Sequence, residues 1–201
     1  MKIDIEHILF WMDAIRNSSD RYRTLESFWK GQIYSKTWLI DKLSKHVDFV
    51  DLMIIHGGWN GVLASLFFQS TIKIDKIISI DIDDSCREVA STMNKLEEMQ
   101  GRFNAVTSNM ADYKYEFFPS VIINTSCEHI DQETYNRWLS NIPKDSLIVL
   151  QSNDYFDLTE HVRCSIDLDD FKRQSNIRVI DSAELILPKY KRFMLIGYRN
   201  D

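Results

Sequence analysis

Three glycines within five residues form a turn that can bind a cofactor. The segment His56-Gly57-Gly58-Trp59-Asn60-Gly61 directly follows the apolar run 51–55. Glycine permits positive φ and lets the backbone approach a ligand closely. The first amides of a helix that follows such a turn present unpaired donors to a ligand. The spacing therefore predicts a cofactor site at this turn.

Asp81 is the carboxylate that can complete such a site. It ends a second apolar run, 76–81, about 20 residues beyond the turn, where nucleotide-binding α/β domains carry the acid that accepts both ribose hydroxyls. Two simpler roles stay open: the glycines can serve only a tight turn, and Asp81 can cap the next helix in competition with Asp83 or Asp84. A strand, a glycine turn, a helix, a second strand and an acid are together more specific than the glycines alone.

Alternating apolar runs and helical patterns provide the elements that position these residues. Continuous Ile, Val and Leu runs are typical of strands that are buried on both faces of a parallel sheet. Strands that alternate with helices imply right-handed crossovers. We predict strands at 51–55, 76–81, 103–107, 120–124 and 146–150, and helices at 62–68, 84–99 and 132–139.

The last part of the chain follows a different pattern. Two predicted strands, 177–187 and 191–198, are separated only by the turn Pro188-Lys189-Tyr190, which leaves no room for a crossover helix. These strands must therefore pair antiparallel. We expect an α/β fold: a three-layer Rossmann-like sandwich whose mostly parallel seven-stranded sheet ends in an antiparallel hairpin.

Residues before the first strand have helical spacing. Apolar residues recur from Ile5 to Ile15 at the interval that places them on one helix face, and further helices are predicted at 25–30 and 35–46. We expect residues 1–48 to form an N-terminal helical lid or extension, and residues 49–201 to form the cofactor-binding domain. A break at Gly31 would turn the helical segment toward the sheet.

The composition limits the classes of partner that this protein is expected to bind. A chain of 201 residues with 44% hydrophobic and 27% charged residues suits a globular domain with a sizeable core. The net charge of −6 speaks against broad nucleic-acid binding, which needs clustered Lys and Arg. No run is apolar enough for a membrane span or a secretory leader.

Cys86, Cys127 and Cys164 are widely spaced and form no CxxC pair. Their spacing indicates neither a zinc site nor a disulfide framework, so we expect no metal. Reduced thiols are typical of a cytoplasmic protein. The sequence leaves the oligomeric state open.

Over residues 51–199 the chain resembles class I S-adenosylmethionine-dependent methyltransferases. The resemblance rests on the glycine turn, on Asp81 after the second strand and on the terminal hairpin. It implies S-adenosyl-L-methionine as the cofactor, with the methionine portion at the turn, the ribose on Asp81 and the adenine beside Ile82. The predicted cofactor-binding residues are Lys36, His56, Gly57, Gly58, Trp59, Asn60, Gly61, Asp81, Ile82, Asn109, Met110 and Thr125.

Two residues depart from the family pattern. The family usually has an acid where this chain has Ile55, and glycine where this chain has Trp59. The indole can cover the methionine portion or fill the pocket. These departures motivate a second hypothesis, a module of the same fold that binds cofactor or a partner but transfers nothing. A third, a nicotinamide-dependent oxidoreductase, is disfavoured by the hairpin and by the lack of a second substrate domain.

Glu128 and His129 follow the fourth strand, where the resemblance implies that the reactive sulfonium projects. Methyl transfer is an in-line displacement that needs alignment, and it needs a base only when the acceptor loses a proton. We predict that both residues are catalytic, with His129 as the base and Glu128 orienting it or the acceptor. The alternatives are that Glu128 caps the helix near Gln132 and that His129 packs under the loop.

The predicted acceptor is a small molecule or a protein side chain. Amino-directed nucleic-acid methyltransferases usually carry Asn or Asp, two prolines and an aromatic residue after the fourth strand, and Asn124-Thr125-Ser126-Cys127 lacks that pattern.

Lys36 would pair with the carboxylate of the cofactor. An exposed lysine near a helix start is the alternative for that residue.

Overall fold

The structure is a computed structural model that describes residues 4–200. These residues form two compact units, 4–109 and 110–200. The first unit contains α1 (Ile5–Asn17), α2 (Arg21–Glu26), α3 (Lys30–Leu43), β1 (Phe49–His56), α4 (Val62–Phe68), β2 (Lys73–Asp81), α5 (Ser85–Met93), α6 (Lys95–Met99) and β3 (Phe103–Thr107). The second contains β4 (Val121–Asn124), α7 (Gln132–Asn141), β5 (Leu147–Asn153), α8 (Leu168–Ser175), β6 (Ile177–Ile186) and β7 (Lys191–Arg199).

The strands of the first unit are parallel and lie in the order β3-β2-β1. The register aligns their carboxyl ends, because His56 of β1 pairs with Ile80 of β2 and Asp81 pairs with Thr107 of β3. Side chains at the ends of parallel strands meet at one edge of the sheet. The glycine turn after β1 and the acid that ends β2 are therefore brought together by register alone.

The second unit has one parallel strand pair and an antiparallel hairpin. Its strand order is β4-β5-β7-β6, with β4 parallel to β5 and with β7 antiparallel to both β5 and β6. The register shifts between Val179 and Asp181, which marks an irregularity in β6. The seven strands confirm the predicted Rossmann-like fold with a mostly parallel sheet and a terminal antiparallel hairpin.

Burial explains why the apolar runs form strands. All seven residues of β5 are buried, and so are the last four residues of β1. Helix α7 contributes Tyr135 and Trp138 to the core of the second unit, both without exposed surface. Continuous burial along a strand is typical of a sheet that is covered on both faces. Within residues 4–200, no helix is both long and apolar enough to cross a membrane.

Several predicted boundaries differ from the structure. Helix α3 begins at Lys30, so Gly31 lies inside its first turn and provides no break. The predicted helix 84–99 is two helices, because the Asn94 side chain donates to the carbonyls of Gly61 and Ala90 at the junction. Helix α8 was not predicted, because Leu168 and Phe171 are its only apolar residues and give no clear helical periodicity.

The N-terminal helices pack within the first unit. Trp11 Nε1 donates to Ser65 Oγ at 2.8 Å, and His7 Nε2 lies 2.9 Å from Glu97 Oε1. The predicted apolar stripe of α1 is largely exposed instead of buried, and Trp29 before α3 is 64% exposed. That residues 1–48 act as a lid stays a prediction.

The absence of a side chain at Gly197 allows β6 and β7 to approach closely. A Cβ atom added there would lie 2.3 Å from the carbonyl oxygen of Arg178, a backbone atom that cannot move without opening the hairpin. We expect Gly197→Ala to lower the free energy of unfolding by about 1–3 kcal/mol, measured by urea denaturation. Glu184→Ala, an exposed change on β6, is the control. Equal stability of the two variants would contradict this explanation.

Candidate functional site

Close packing requires glycine at two positions of the turn. A Cβ atom on Gly58 would lie 1.9 Å from Ser79 Oγ, so the turn packs directly against β2. Gly61 has φ of 76°, and a Cβ atom there would lie 2.6 Å from Asn94 Nδ2. Left-handed backbone and this crowding both exclude larger residues. Close packing therefore explains two of the glycines without reference to a ligand.

The carboxylate of Asp81 joins the turn to the end of β2. Its Oδ2 accepts a hydrogen bond from the backbone N–H of Trp59 at 2.8 Å, and its Oδ1 accepts one from the backbone N–H of Asp83 at 3.0 Å. Each carboxylate oxygen has a second lone pair, so both oxygens can still accept a hydrogen bond from a ligand. Asp81 is half-buried, which leaves the carboxylate within reach of a bound molecule.

Asp83, and not Asp81, organises the start of α5. The side chain of Asp83 accepts from Ser85 N and Ser85 Oγ, and Arg23 Nη1 contacts its Oδ2 at 2.6 Å. The hydrogen bonds from Ser85 and the neighbouring guanidinium hold the pKa of Asp83 near 2. This division of roles leaves Asp81 directed at the turn, and it ties α2 to the loop that follows β2.

Trp59 occupies a left-handed backbone position, with φ of 47°. Only glycine adopts this conformation without steric cost, and in a bulky residue it marks a constrained site. The half-buried Trp59 side chain lines a cleft together with Ser79, Asp81 and Cys86. The hydrogen bond from the backbone N–H of Trp59 to Asp81 holds this geometry in place.

Asn60 provides an unused donor in the same turn. The residue is 4% exposed, and its Nδ2 has no hydrogen-bond partner among residues 4–200. Buried polar groups are normally paired, so an unpaired amide in a binding turn fits a ligand acceptor such as a carboxylate. The turn therefore offers one unpaired amide donor, Asn60, and one carboxylate acceptor, Asp81.

The other residues predicted to bind cofactor have varied environments. The His56 imidazole is fully buried at the end of β1, and burial lowers its pKa to about 3. Ile82 is 71% exposed and can cover a ligand. Lys36 Nζ donates to Gln32 Oε1 at 2.6 Å within α3, and Asn109 is half-buried after β3.

In the second unit, Glu128 belongs to a buried ion pair. Its Oε1 accepts from Arg192 Nη1 at 2.9 Å and from Asn153 Nδ2 at 2.6 Å. Arg192 also donates to the carbonyl of Thr125, and the Met110 sulfur contacts Asn124 Nδ2 at 3.4 Å. Helix α7 is capped by Asp131, so Glu128 does not serve as that cap.

His129 lies beside a second histidine that sequence reasoning did not select. The ring centroids of His129 and His161 are 4.6 Å apart. His129 Nδ1 lies 3.2 Å from the carbonyl oxygen of Glu160, so this carbonyl, and not Glu128, orients the ring. No local pattern indicated His161 or Arg192, because both reach this position only through the loop after β5 and the hairpin.

Arg163 fixes the short 3-10 turn Cys127–His129. Its Nε donates to the carbonyl oxygens of Cys127 and Ile130, and its guanidinium stacks 3.9 Å from the ring centre of Tyr135. Its backbone N–H donates to the Glu128 carbonyl at 3.0 Å. These contacts hold the backbone of the turn that carries Glu128 and His129.

Several solved structures with this architecture are methyltransferases. The N-methyltransferase NodS from Bradyrhizobium japonicum, in complex with S-adenosyl-L-homocysteine, matches 96% of this chain and 99% of its own at a TM-score of 0.69 and 9% identity. Magnesium protoporphyrin IX methyltransferase from Synechocystis, with bound S-adenosylmethionine, matches 96% and 91% at a TM-score of 0.64 and 12% identity. A methyltransferase from Clostridium acetobutylicum matches 90% and 100% at a TM-score of 0.63 and 10% identity.

The likeness establishes the class I methyltransferase fold for this chain. No family model and no curated protein matches the sequence.

The buried His56 predicts a specific pH dependence of stability. The folded state keeps this imidazole neutral down to about pH 3, whereas the unfolded chain protonates it near 6.5. The contribution of His56 to the free energy of unfolding is therefore complete above about pH 6.5. It decreases as the pH falls below that value, by up to about 1.4 kcal/mol per pH unit. His56→Gln should flatten this fall in urea denaturation between about pH 7 and about pH 5. The same slope in His56→Gln and in the exposed-site variant His46→Gln would contradict this assignment.

Proposed function

We propose that this chain is an S-adenosyl-L-methionine-dependent methyltransferase that acts on a small-molecule or protein acceptor. The observation that carries the proposal is the Asp81 carboxylate, fixed against the glycine turn with one further lone pair on each oxygen. The class I fold supports it, because NodS and the Synechocystis enzyme of that fold hold S-adenosyl-L-homocysteine and S-adenosylmethionine.

Residues of the first unit would bind and orient the cofactor, which supplies an activated methyl group when bound. The Asn60 amide would donate to its amino-acid carboxylate, and Asp81 would accept from the ribose hydroxyls. Exposed Ile82 would cover the adenine. Alignment and water exclusion are the main contributions that a protein makes to an in-line displacement.

Residues of the second unit would serve the acceptor. Arg192 and Asn153 hold one oxygen of Glu128 and leave the other available. His129 uses Nδ1 on the Glu160 carbonyl, so its Nε2 is the atom that can accept a proton from an acceptor hydroxyl or amine. We keep Glu128 and His129 as the proposed acceptor-side residues on these contacts.

A binding module without transfer activity is the second candidate, and Trp59 is the observation that favours it. The half-buried indole lines the cleft beside Asp81, at a position where the family usually has glycine. A module that has lost transfer would bind S-adenosyl-L-homocysteine but would not move a labelled methyl group. Both candidates therefore require Asp81 for cofactor binding, and they differ in whether a methyl group is transferred.

Ligand analogues can test the ribose contact directly. Asp81→Ala should weaken S-adenosyl-L-homocysteine binding by about 1–3 kcal/mol in calorimetric titration, because charged hydrogen bonds are lost. The wild type should bind the 2′,3′-dideoxy analogue correspondingly more weakly, whereas Asp81→Ala should bind both ligands alike. Asp75→Ala, an exposed acid near the opposite end of β2, is the matched control.

The analogue comparison separates two roles of Asp81. A residue that only shapes the turn would weaken both ligands equally on replacement and preserve the wild-type preference for the hydroxylated sugar. Such a preserved preference would sink the ribose assignment. Unchanged affinity of Asp81→Ala would sink it as well.

Methyl transfer itself requires an activity measurement. Incubation with methyl-labelled cofactor and fractionated small-molecule and protein extracts should label at least one fraction, and His129→Gln should reduce that labelling. The control is His46→Gln, a change at an exposed residue that belongs to neither proposed site. Binding of S-adenosyl-L-homocysteine without labelling of any fraction would favour the module without transfer activity.

A further inference from the structure

Glu128, His129 and His161 form a cluster of three metal-binding side chains in the second unit. One ligand atom from each lies within 4.8 Å of the other two. The three residues differ in burial: Glu128 is buried, His161 is half-buried and His129 is exposed. The cluster is thus buried on the side of Glu128 and open to solvent on the side of His129, as a site that exchanges an ion or a ligand with solvent requires.

Both histidines use the same ring nitrogen on a backbone carbonyl. His129 Nδ1 lies 3.2 Å from the Glu160 oxygen, and His161 Nδ1 lies 2.6 Å from the Tyr155 oxygen. A carbonyl can only accept, so in each ring Nδ1 carries the proton and Nε2 has a free lone pair. A backbone carbonyl on the second nitrogen is the usual outer contact of a metal-binding histidine.

Glu128 has one oxygen without a hydrogen-bond partner. Its Oε1 is held by Arg192 and Asn153, whereas Oε2 is buried and has no partner among residues 4–200. A buried carboxylate oxygen with no donor is unfavourable unless a cation or a donor reaches it. This unpaired oxygen is a second observation that points to a ligand, independent of the two histidines.

We propose that Glu128 Oε2, His129 Nε2 and His161 Nε2 bind a divalent transition-metal ion of the zinc type. Two imidazoles and one carboxylate suit Zn²⁺, whereas Mg²⁺ and Ca²⁺ prefer oxygen ligands alone. Three protein ligands leave at least one position for water or for an oxygen of a bound molecule. No local sequence pattern predicts this metal site, because the cysteines lack zinc spacing and His161 is remote in the chain from Glu128.

The local structure can accommodate the ion. Ligands that lie about 2.0–2.2 Å from a zinc ion are closer together than 4.8 Å, so the side chains must approach one another by about 1 Å. His129 is exposed, and His161 belongs to the irregular segment between β5 and α8, so both rings can move by this amount.

The ion site stands on the second unit alone and does not depend on methyl transfer. If the ion is present, His129 acts as a ligand and not as a free base; the ion would lower the pKa of a bound hydroxyl, whose proton would pass to solvent water. A metal measurement made without S-adenosyl-L-homocysteine therefore tests this inference only. Failure of the cofactor measurements on Asp81 would leave it untouched.

Zinc titration of the full chain tests the site. After chelator treatment, the wild type should bind one equivalent of Zn²⁺ in competition with a chromophoric chelator, and the ion should raise its melting temperature. His129→Gln and His161→Gln should each weaken Zn²⁺ binding by at least about tenfold. The controls are His46→Gln and Cys164→Ser, which should stay within about twofold of the wild type.

Cys164 is included because its sulfur lies 3.6 Å from His161 Nδ1 and offers a competing zinc ligand. Loss of Zn²⁺ binding in Cys164→Ser but not in His129→Gln would overturn the proposed ligand set.

The remaining outcomes are equally decisive. No bound Zn²⁺ in the wild type, or wild-type affinity in His129→Gln, would overturn the site. His129 is exposed, so its replacement should leave the fold intact, and a melting temperature measured with chelator present verifies this. Mg²⁺ that displaces Zn²⁺ at equal concentration would contradict a site built from imidazoles.

Discussion

The two hydrogen bonds to the Asp81 carboxylate are the interaction on which the cofactor end of this molecule depends. They join the turn after β1 to the loop after β2, and they hold Trp59 in a left-handed conformation that is unfavourable for a large side chain. Without this acceptor the Trp59 N–H would lose its partner and the turn its geometry. The same carboxylate retains the lone pairs that a ribose would use, so a structural bond and a binding role coexist in one side chain.

In the second unit, the pair formed by Glu128 and Arg192 has a comparable role. Both residues are nearly inaccessible to solvent, and desolvation of two charges is compensated only when geometry and further hydrogen bonds are good. Asn153 and the Thr125 carbonyl supply such bonds. The pair connects the terminal hairpin to the turn after β4, and it fixes which oxygen of Glu128 faces a potential ion.

The structural likenesses define how far the fold constrains chemistry. Proteins with 9–12% identity share this architecture, so the sheet order and hairpin tolerate nearly complete replacement of side chains. Function depends on particular sites and not on the fold. The particular features of this chain are local. Trp59 has a positive φ, Asn60 has an unpaired amide, and the cluster of Glu128, His129 and His161 contains an unpaired carboxylate oxygen.

The sequence alone determined the strands, the terminal hairpin and the meeting of the glycine turn with Asp81, because these depend on apolar runs and on the register of neighbouring strands. It did not determine the start of α3 or the presence of α8, where polar residues give weak helical periodicity. Only the tertiary structure placed His161 beside His129 and Arg192 beside Glu128. These contacts join residues far apart in the chain, and their geometry depends on the path of a loop and a hairpin, which no local spacing encodes.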